Sequence, residues 1–374
     1  MRVLQLVSST EGRNDILASI AIGSNGRDRT VEFACLDQGT GDFASLLRGA
    51  GVSLHVLGTG SPLRLVIRLR KFLRNTGADV IQSHGHHASL MLTCATLGLR
   101  RRPAVMPVRH HNLFHHLIKK RLRVLADRAI IRLADGVVAI STSVRDTLLA
   151  EGCPLNRLYR ATNGRDWDGL TLDEKHVTRI RGTCRHTYML VAVGNLKFEK
   201  DYPTLIRALR LVVDAGVDAE LQIAGTGSED ALLQLRAMVS DLSLDDHVCF
   251  LGWVDDVLSL IGAADVFVQA SVDEASPQVV YEAAGLGVPV VATSAGGITD
   301  ILGRYQDLVD PGDVVGLADA LVASLSDLEA ERIRAEGISA DVRDRYGNER
   351  CRESYLLACR QLLEDMARRE AKFA

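Results

Sequence analysis

Two carboxylates and a lysine carry the chemistry that the sequence makes visible. Glu274 and Glu282 lie eight residues apart in VFVQASVDEASPQVVYEAAGLG. Carboxylates so placed accept charge-assisted hydrogen bonds from sugar hydroxyls. Val279, Val280, Ala283 and Ala284 around Glu282 are apolar, which argues against a purely surface role for it. Lys200 follows a glycine turn in GNLKFEKDY, with Lys197 nearby. A lysine there suits a phosphate, as a compact cation with three donors. Gly225-Thr226-Gly227 precedes a helical pattern. Such a turn lets backbone N–H groups approach an anion at a helix N-terminus, though tight packing explains most lone G-x-G turns.

These residues need a scaffold, and the hydrophobic pattern supplies one. Val266 to Gln269 is a buried-strand run, followed by a polar loop with Asp273 and Glu274. Pro277 fits the first turn of a helix that ends at Gly285 and Gly287. A second apolar strand, Val288 to Ala292, leads into Gly296-Gly297. This is a βαβ unit with acidic groups where its first strand ends, the place where open α/β sheets bind ligands. The same alternation runs through the chain. Strands are expected at Val3–Val7, Val31–Leu36, Leu54–Leu57, Val80–Gln82, Ala104–Val108, Val137–Ile140, Met189–Val193, Glu220–Ala224 and Val248–Leu251. Helices are expected at Asp42–Gly49, Leu63–Asn75, His87–Leu97, Phe114–Leu133, Val144–Glu151, Tyr202–Ala215, Glu229–Leu242, Val257–Ala263, Val314–Leu325 and Asn348–Lys372. Strands alternating with helices argue mostly parallel, doubly wound α/β sheets.

The length of 374 residues suits two domains. Residues 1–164 hold 23 Lys and Arg against 11 Asp and Glu, whereas 165–374 hold 21 against 36. That asymmetry points to domains with different partners. The basic half suits an anionic partner: a membrane surface, a phosphate-bearing acceptor or nucleic acid. The Asn163-Gly164 turn and the charged stretch after it place the link at about 163–185. The expected domains are 1–165 and 166–345, with a helix over 346–374 packing back on the first. The seven cysteines show no metal spacing and read as buried thiols of a reducing cytosol. No apolar run reaches the ~18 residues of a membrane span. MRVLQLVSS reads as a first strand and not as a signal peptide.

The order of the motifs resembles glycosyltransferase family 4, the retaining family of glycosyl transferases group 1 with the GT-B fold. EASPQVVYE is similar to its E-x7-E motif. VGNLKFEKDYPTLIRAL resembles its glycine-and-lysine loop and helix, and PVVATSAGGITDIL its GG segment. LQIAGTGSEDALL, VCFLGW and AADVFVQAS follow in the family order. DVIQSHGHHASL resembles its strand ending in D-x-x-H-x-H. The resemblance implies two Rossmann-like domains facing a central cleft. It implies that Glu282 binds the ribose, Glu274 the transferred sugar, and Lys200 the leaving diphosphate. Asn195, Gly225, Gly227, Pro277, Gly296 and Gly297 complete the donor site. His84, matching the second His, projects toward the reacting sugar, and Arg109 and Gly12 lie on the acceptor side. Neither metal nor cofactor is implied, because Lys, Arg and helix N-termini do the electrostatic work. The acidic pair Asp255-Asp256 then reads as a helix start.

The implied enzyme is a cytoplasmic hexosyltransferase, peripheral at the inner face of the plasma membrane. It moves a sugar from a nucleotide diphosphate sugar to a glycan or lipid-linked acceptor in envelope, lipopolysaccharide or exopolysaccharide synthesis, with no nucleic-acid partner. Three departures stand out. Asn195 replaces a frequent Arg, leaving Lys197 or Arg109 to substitute. SSTEGRND has only Gly12 where a Gly-Gly loop is usual. Ala275 replaces a usual Gly. A nucleotide-sugar epimerase, a pyridoxal-dependent phosphorylase and a non-catalytic nucleotide-sugar-binding protein are the rival readings. The histidines at 110, 111, 115 and 116 lack a carboxylate or Cys at matching spacing for a metal. Their basic segment, 109–133, reads as a crossover helix or a membrane- or phosphate-facing patch.

Overall fold

The computed structural model describes residues 1–12, 14–23, 30–99, 101–112, 121–168 and 170–373. Its contacts divide the chain into two compact units. One holds Met1–Trp167 and Tyr346–Ala374, the other Asp168–Arg345.

Among the described residues, the first unit holds a parallel sheet of seven strands. These are β1 (Arg2–Val7), β2 (Thr30–Cys35), β3 (Leu54–Val56), β4 (Val80–His84), β5 (Ala104–Arg109), β6 (Val137–Ala139) and β7 (Leu158–Arg160). Their order is β3-β2-β1-β4-β5-β6-β7. The chain reverses direction across the sheet between β1 and β4, so the crevice of this sheet opens there. Alternate side chains of a strand face opposite ways. Leu4, Leu6 and Ile81 pack with Leu65, Leu69 and Leu92 of the helices Pro62–Leu73 and His86–Thr96. The interleaved Gln5, Gln82 and His84 face the other way. The long helix Asn348–Phe373 covers β7 and the helix Asp15–Ala21. Tyr355 is its anchor: fully buried, its hydroxyl donates to Asn163 Oδ1 at 2.9 Å.

The second unit holds β8 (Tyr188–Val193), β9 (Ala219–Ala224), β10 (Val248–Gly252), β11 (Val266–Gln269) and β12 (Val290–Ala292), all parallel. The order β10-β9-β8-β11-β12 puts the reversal between β8 and β11. Leu190, Leu221, Ile223 and Val268 pack against Leu205, Leu209, Leu317 and Leu321. These come from the helices Tyr202–Asp214 and Val314–Ser326. The near-continuous apolar strands are what a sheet covered on both faces requires.

The structure adds elements that the hydrophobic pattern does not announce. Glu174–Arg181 is a helix without a buried residue, capped by Asp173, whose side chain accepts from Lys175 N. Leu328–Arg345 is a helix whose buried residues are Ala335 and Val342. Neither presents the wide apolar stripe by which a helix is recognised. Pro277 is the residue before the helix rather than its first turn. With ψ at 113° it stays extended, and the helix spans Gln278–Gly285. Strand β12 begins at Val290, two residues after the apolar run does. Of the expected helix Phe114–Leu133, Arg121–Leu133 is present; 113–120, with His115 and His116, lie outside the described residues.

Candidate functional site

Lys200 and Glu274 meet where the loops after β8 and β11 separate, the reversal point of the second sheet. Lys200 Nζ donates to Glu274 Oε1 at 2.6 Å. The same oxygen accepts from Ser271 Oγ at 2.8 Å and Gln269 Nε2 at 2.9 Å. Gln269 also donates to Ser271 Oγ at 2.7 Å. An ammonium has three donors, so Lys200 can hold Glu274 and still face an anion. Both side chains are mostly but not wholly shielded, Lys200 by 80% and Glu274 by 88%, from exposures of 20% and 12%. The pair is therefore open to a ligand on one side.

The local backbone explains the placement. A short turn over Phe198–Lys200 ends at Asp201, which takes a left-handed φ of 45° and caps the helix Tyr202–Asp214 by accepting from Thr204 N. Tyr202 OH donates to Gly194 O at 2.7 Å, fixing the start of the loop. A Cβ on Gly194 would lie 2.6 Å from Lys200 Cε, so the glycine makes room for the lysine stem. Val272 N donates to Glu199 O at 2.9 Å and ties the two loops together.

Glycines set the remaining walls. At Gly225, with φ at +144°, a Cβ would approach Gly194 O to 2.0 Å; at Gly227 it would approach Leu196 Cβ to 2.6 Å. Both therefore serve close loop packing. Gly297 N donates to Glu274 O at 2.7 Å, and a Cβ there would come within 2.2 Å of Ala275 O. The close approach at this loop thus falls on Gly297, against the backbone of Ala275. Gly296 adopts φ 47°, ψ −118°, a conformation that suits glycine. Glu282 is buried to 5% exposure on the helix Gln278–Gly285. Asn195 and Lys197 are exposed. Asp256 caps the helix Val257–Gly262 by accepting from Ser259 N, and Asp255 accepts from Trp253 Nε1 at 2.8 Å.

In the first unit His84 is the last residue of β4, inside the strand and not in the loop beyond it. Its Nε2 lies 2.7 Å from Gln5 Oε1 and its Nδ1 3.0 Å from His110 Nε2. Burial, reinforced by the neighbouring His110, pushes its pKa well below the usual histidine value. Burial, then the charge of His111, pushes His110 from 6.5 to about 4. The unfolded chain then takes up protons that the native state refuses, so their contribution to stability is complete above about pH 6.5 and falls as pH drops toward 4. The thermal midpoint is expected to fall over that window and to fall less in His110→Asn. An equal slope in the two proteins removes His110 as the cause.

Arg109 ends β5 with its guanidinium between Asp127 and Glu151, 2.8 Å from Asp127 Oδ2. It is buried to 8% exposure. Gly12 is exposed, with φ at 71° and open space around it. Gln269, Ser271, Gln5 and Gln82 were not among the residues singled out by type. For the three glutamines the signal is polarity inside a strand otherwise apolar, since a buried amide needs hydrogen-bond partners; Ser271 lies beyond the end of β11 and gives no such signal.

Residues 16–164 match the family model described as glycosyl transferase 4-like domain, and residues 187–327 match glycosyl transferases group 1. The chain is 31% identical over 195 residues to N-acetyl-alpha-D-glucosaminyl L-malate synthase of Bacillus anthracis, covering 52% of this chain and 50% of that protein. It is 33% identical over 173 residues to the lipopolysaccharide core biosynthesis glycosyltransferase LpsD of Rhizobium meliloti, covering 45% and 48%. The chain thus spans about half the length of these curated relatives. Its fold is similar to that of Anabaena Alr3699/HepE in complex with UDP-glucose, with a TM-score of 0.78, 21% identity, and 98% of this chain and 99% of that one covered. With two parallel α/β sheets, both halves matched and this fold, the chain belongs to the glycosyl transferases group 1, the GT4 family of the GT-B fold.

Proposed function

We propose that the protein is a retaining hexosyltransferase that moves a sugar from a uridine diphosphate sugar to a hydroxyl of a glycan or lipid-linked acceptor. The observation that carries this reading is the Lys200–Glu274 pair at the reversal point of the second sheet. A cation and a hydroxyl-binding carboxylate at one point suit a diphosphate and the sugar attached to it. In the reaction the bond from the anomeric carbon to the diphosphate oxygen breaks. The acceptor oxygen bonds to the same face, and its proton leaves with the diphosphate. Lys200 stabilises the charge growing on the leaving group. Glu274 holds sugar hydroxyls, and Glu282 the ribose diol. Asn195, Gly225, Gly227, Pro277, Gly296 and Gly297 shape the donor loops, while His84, Arg109 and Gly12 belong to the acceptor unit. Support for uridine comes from the UDP-glucose complex of HepE and from a relative named as a UDP-Gal-dependent galactosyltransferase of Escherichia coli.

A thermal-shift panel of UDP-, GDP-, ADP- and TDP-sugars tests the donor. A ligand that binds only the folded state raises apparent stability. The UDP-sugars are expected to raise the melting temperature, and Glu282→Ala to abolish the shift. A Glu282→Ala variant with full donor affinity would falsify the ribose assignment. Hydrolysis or transfer of the donor separates an enzyme from a binding protein.

The acceptor is proposed to lie at an anionic membrane surface in envelope or lipopolysaccharide synthesis; one relative is named for lipopolysaccharide core biosynthesis and another for transfer to a diphosphoundecaprenol-linked sugar. Residues 1–164 carry the basic excess, and 346–374 leave it intact with six basic and five acidic residues. No helix among the described residues is long and apolar enough to cross a membrane, so this contact would be peripheral. Anionic vesicles are expected to sediment the protein at low salt and release it at high salt. Binding indifferent to salt removes the electrostatic contact.

A further inference from the structure

Gln5 on β1 and Gln82 on β4 are register partners, and His84 stands diagonally beside them on the same face. Their hydrogen bonds form a chain whose direction one atom decides. Gln82 Nε2 lies 3.3 Å from the backbone oxygen of Tyr355 on the helix Asn348–Phe373. A carbonyl oxygen can only accept, so Gln82 turns its NH2 toward the helix. Gln82 Oε1 then accepts from Gln5 Nε2 at 2.7 Å. Gln5 is left with its oxygen 2.7 Å from His84 Nε2. An amide oxygen cannot donate, so His84 carries its proton on Nε2. Nδ1 of that neutral ring is an acceptor, and His110 Nε2, at 3.0 Å, must donate to it.

We infer that Gln82 and Gln5 are positioning residues that carry the polarity of the Tyr355 carbonyl across the sheet, fixing His84 and His110 as Nε2–H tautomers and leaving His110 Nδ1 as the terminal acceptor. Desolvation keeps both rings neutral, so the chain is not broken by a second proton at neutral pH. His110 lines a pocket open to solvent, with Gly85, His86, Ser89 and Asp127. On the transferase reading, on which this last step rests, the terminal acceptor receives a hydrogen bond from a hydroxyl of the acceptor substrate. His84 acts through His110, while His110 makes the contact. Gln82 stands where the resembled family motif has its first histidine. A histidine there can play the same part, donating through one nitrogen and accepting through the other.

Long-range 1H–15N correlation on protein labelled at histidine tests the direction. The two rings are assigned from His84→Phe and His110→Phe. The full chain at neutral pH is expected to show Nε2 protonated and Nδ1 bare in both. Protonation of His84 at Nδ1, or a mixture, overturns the relay without any variant. Gln82→Leu frees the Gln5 amide to turn, and the single His84 tautomer is expected to become two. Gln82→His is expected to restore one. A folded Gln82→Leu with an unchanged His84 signal shows that Gln82 does not position it, and overturns the inference. Kinetics supply the chemical readout: Gln82→Leu changes acceptor KM or kcat at constant donor KM, and Gln82→His reverses this. The spectra involve no turnover, so a failed relay and a failed transferase reading give different results.

Discussion

Lys200→Met is expected to lower kcat by roughly 10²–10³-fold, the usual loss on removing one preorganised donor at a developing charge. The fold should survive the change. Glu274 Oε1 still accepts from Ser271 Oγ and Gln269 Nε2, so the carboxylate is not stranded, and methionine refills the space beside Gly194. The loss should appear in kcat more than in donor KM, because the diphosphate gains a further negative charge as the sugar bond breaks. Circular dichroism and steady-state kinetics with a UDP-sugar measure this. Wild-type kcat in folded Lys200→Met would remove the lysine from leaving-group stabilisation. Glu274→Gln is the companion variant. Its amide keeps an oxygen for Lys200 but gives up the charge, so it separates the ion pair from simple occupancy of the site.

Arg109→Ala should unfold the first unit more readily, by roughly 3–5 kcal/mol, the usual cost of removing one partner of a buried ion pair. The guanidinium bridges Asp127 from the helix Arg121–Leu133 and Glu151, the residue that closes the helix Thr142–Ala150. Taking it away leaves two buried carboxylates beside one another. Arg109→Lys should recover part of the loss only, since an ammonium lacks the fork that spans two carboxylates. Urea unfolding, followed by signals from each unit, measures both variants. An Arg109→Ala midpoint equal to wild type would show the network to be dispensable. The same geometry bears on the missing arginine at Asn195. Arg109 is held by two acids within its own unit, which speaks against its replacing that contact with the diphosphate.

Much of the architecture was legible because parallel strands buried on both faces are apolar along their length. Val266–Gln269 appears in the structure with those bounds, and most other strands shift by one or two residues. β4 shows why a boundary moves. The polar residues Gln82, Ser83 and His84 look like the end of a strand, yet the pairing with β1 and β5 continues through His84. Its polar side chains are all partnered: Gln82 and His84 by Gln5 of β1, His84 also by His110, and Ser83 by Ser89 of the following helix. Elements without an apolar stripe were illegible for the opposite reason. Leu328–Arg345 is held by contacts with the helix Gln278–Gly285 and by Arg343 Nε donating to Gly285 O at 2.5 Å, which no periodicity reports.

By itself the sequence determined the two α/β halves, the family and the residue types of the candidate chemistry: Glu274, Glu282, Lys200 and His84. Those follow from local periodicity and from motif order, which need no knowledge of distant contacts. Only the tertiary structure decided that one carboxylate oxygen joins Lys200, Gln269 and Ser271, because Lys200 and Glu274 stand 74 residues apart and meet through the strand order. It also decided the surroundings of His84. Gln5 lies 79 residues before it, and the carbonyl that orients Gln82 lies 273 residues further along the chain. Hydrogen-bond direction is a property of atoms brought within 3.5 Å or less, and strand pairing and helix packing bring those atoms together.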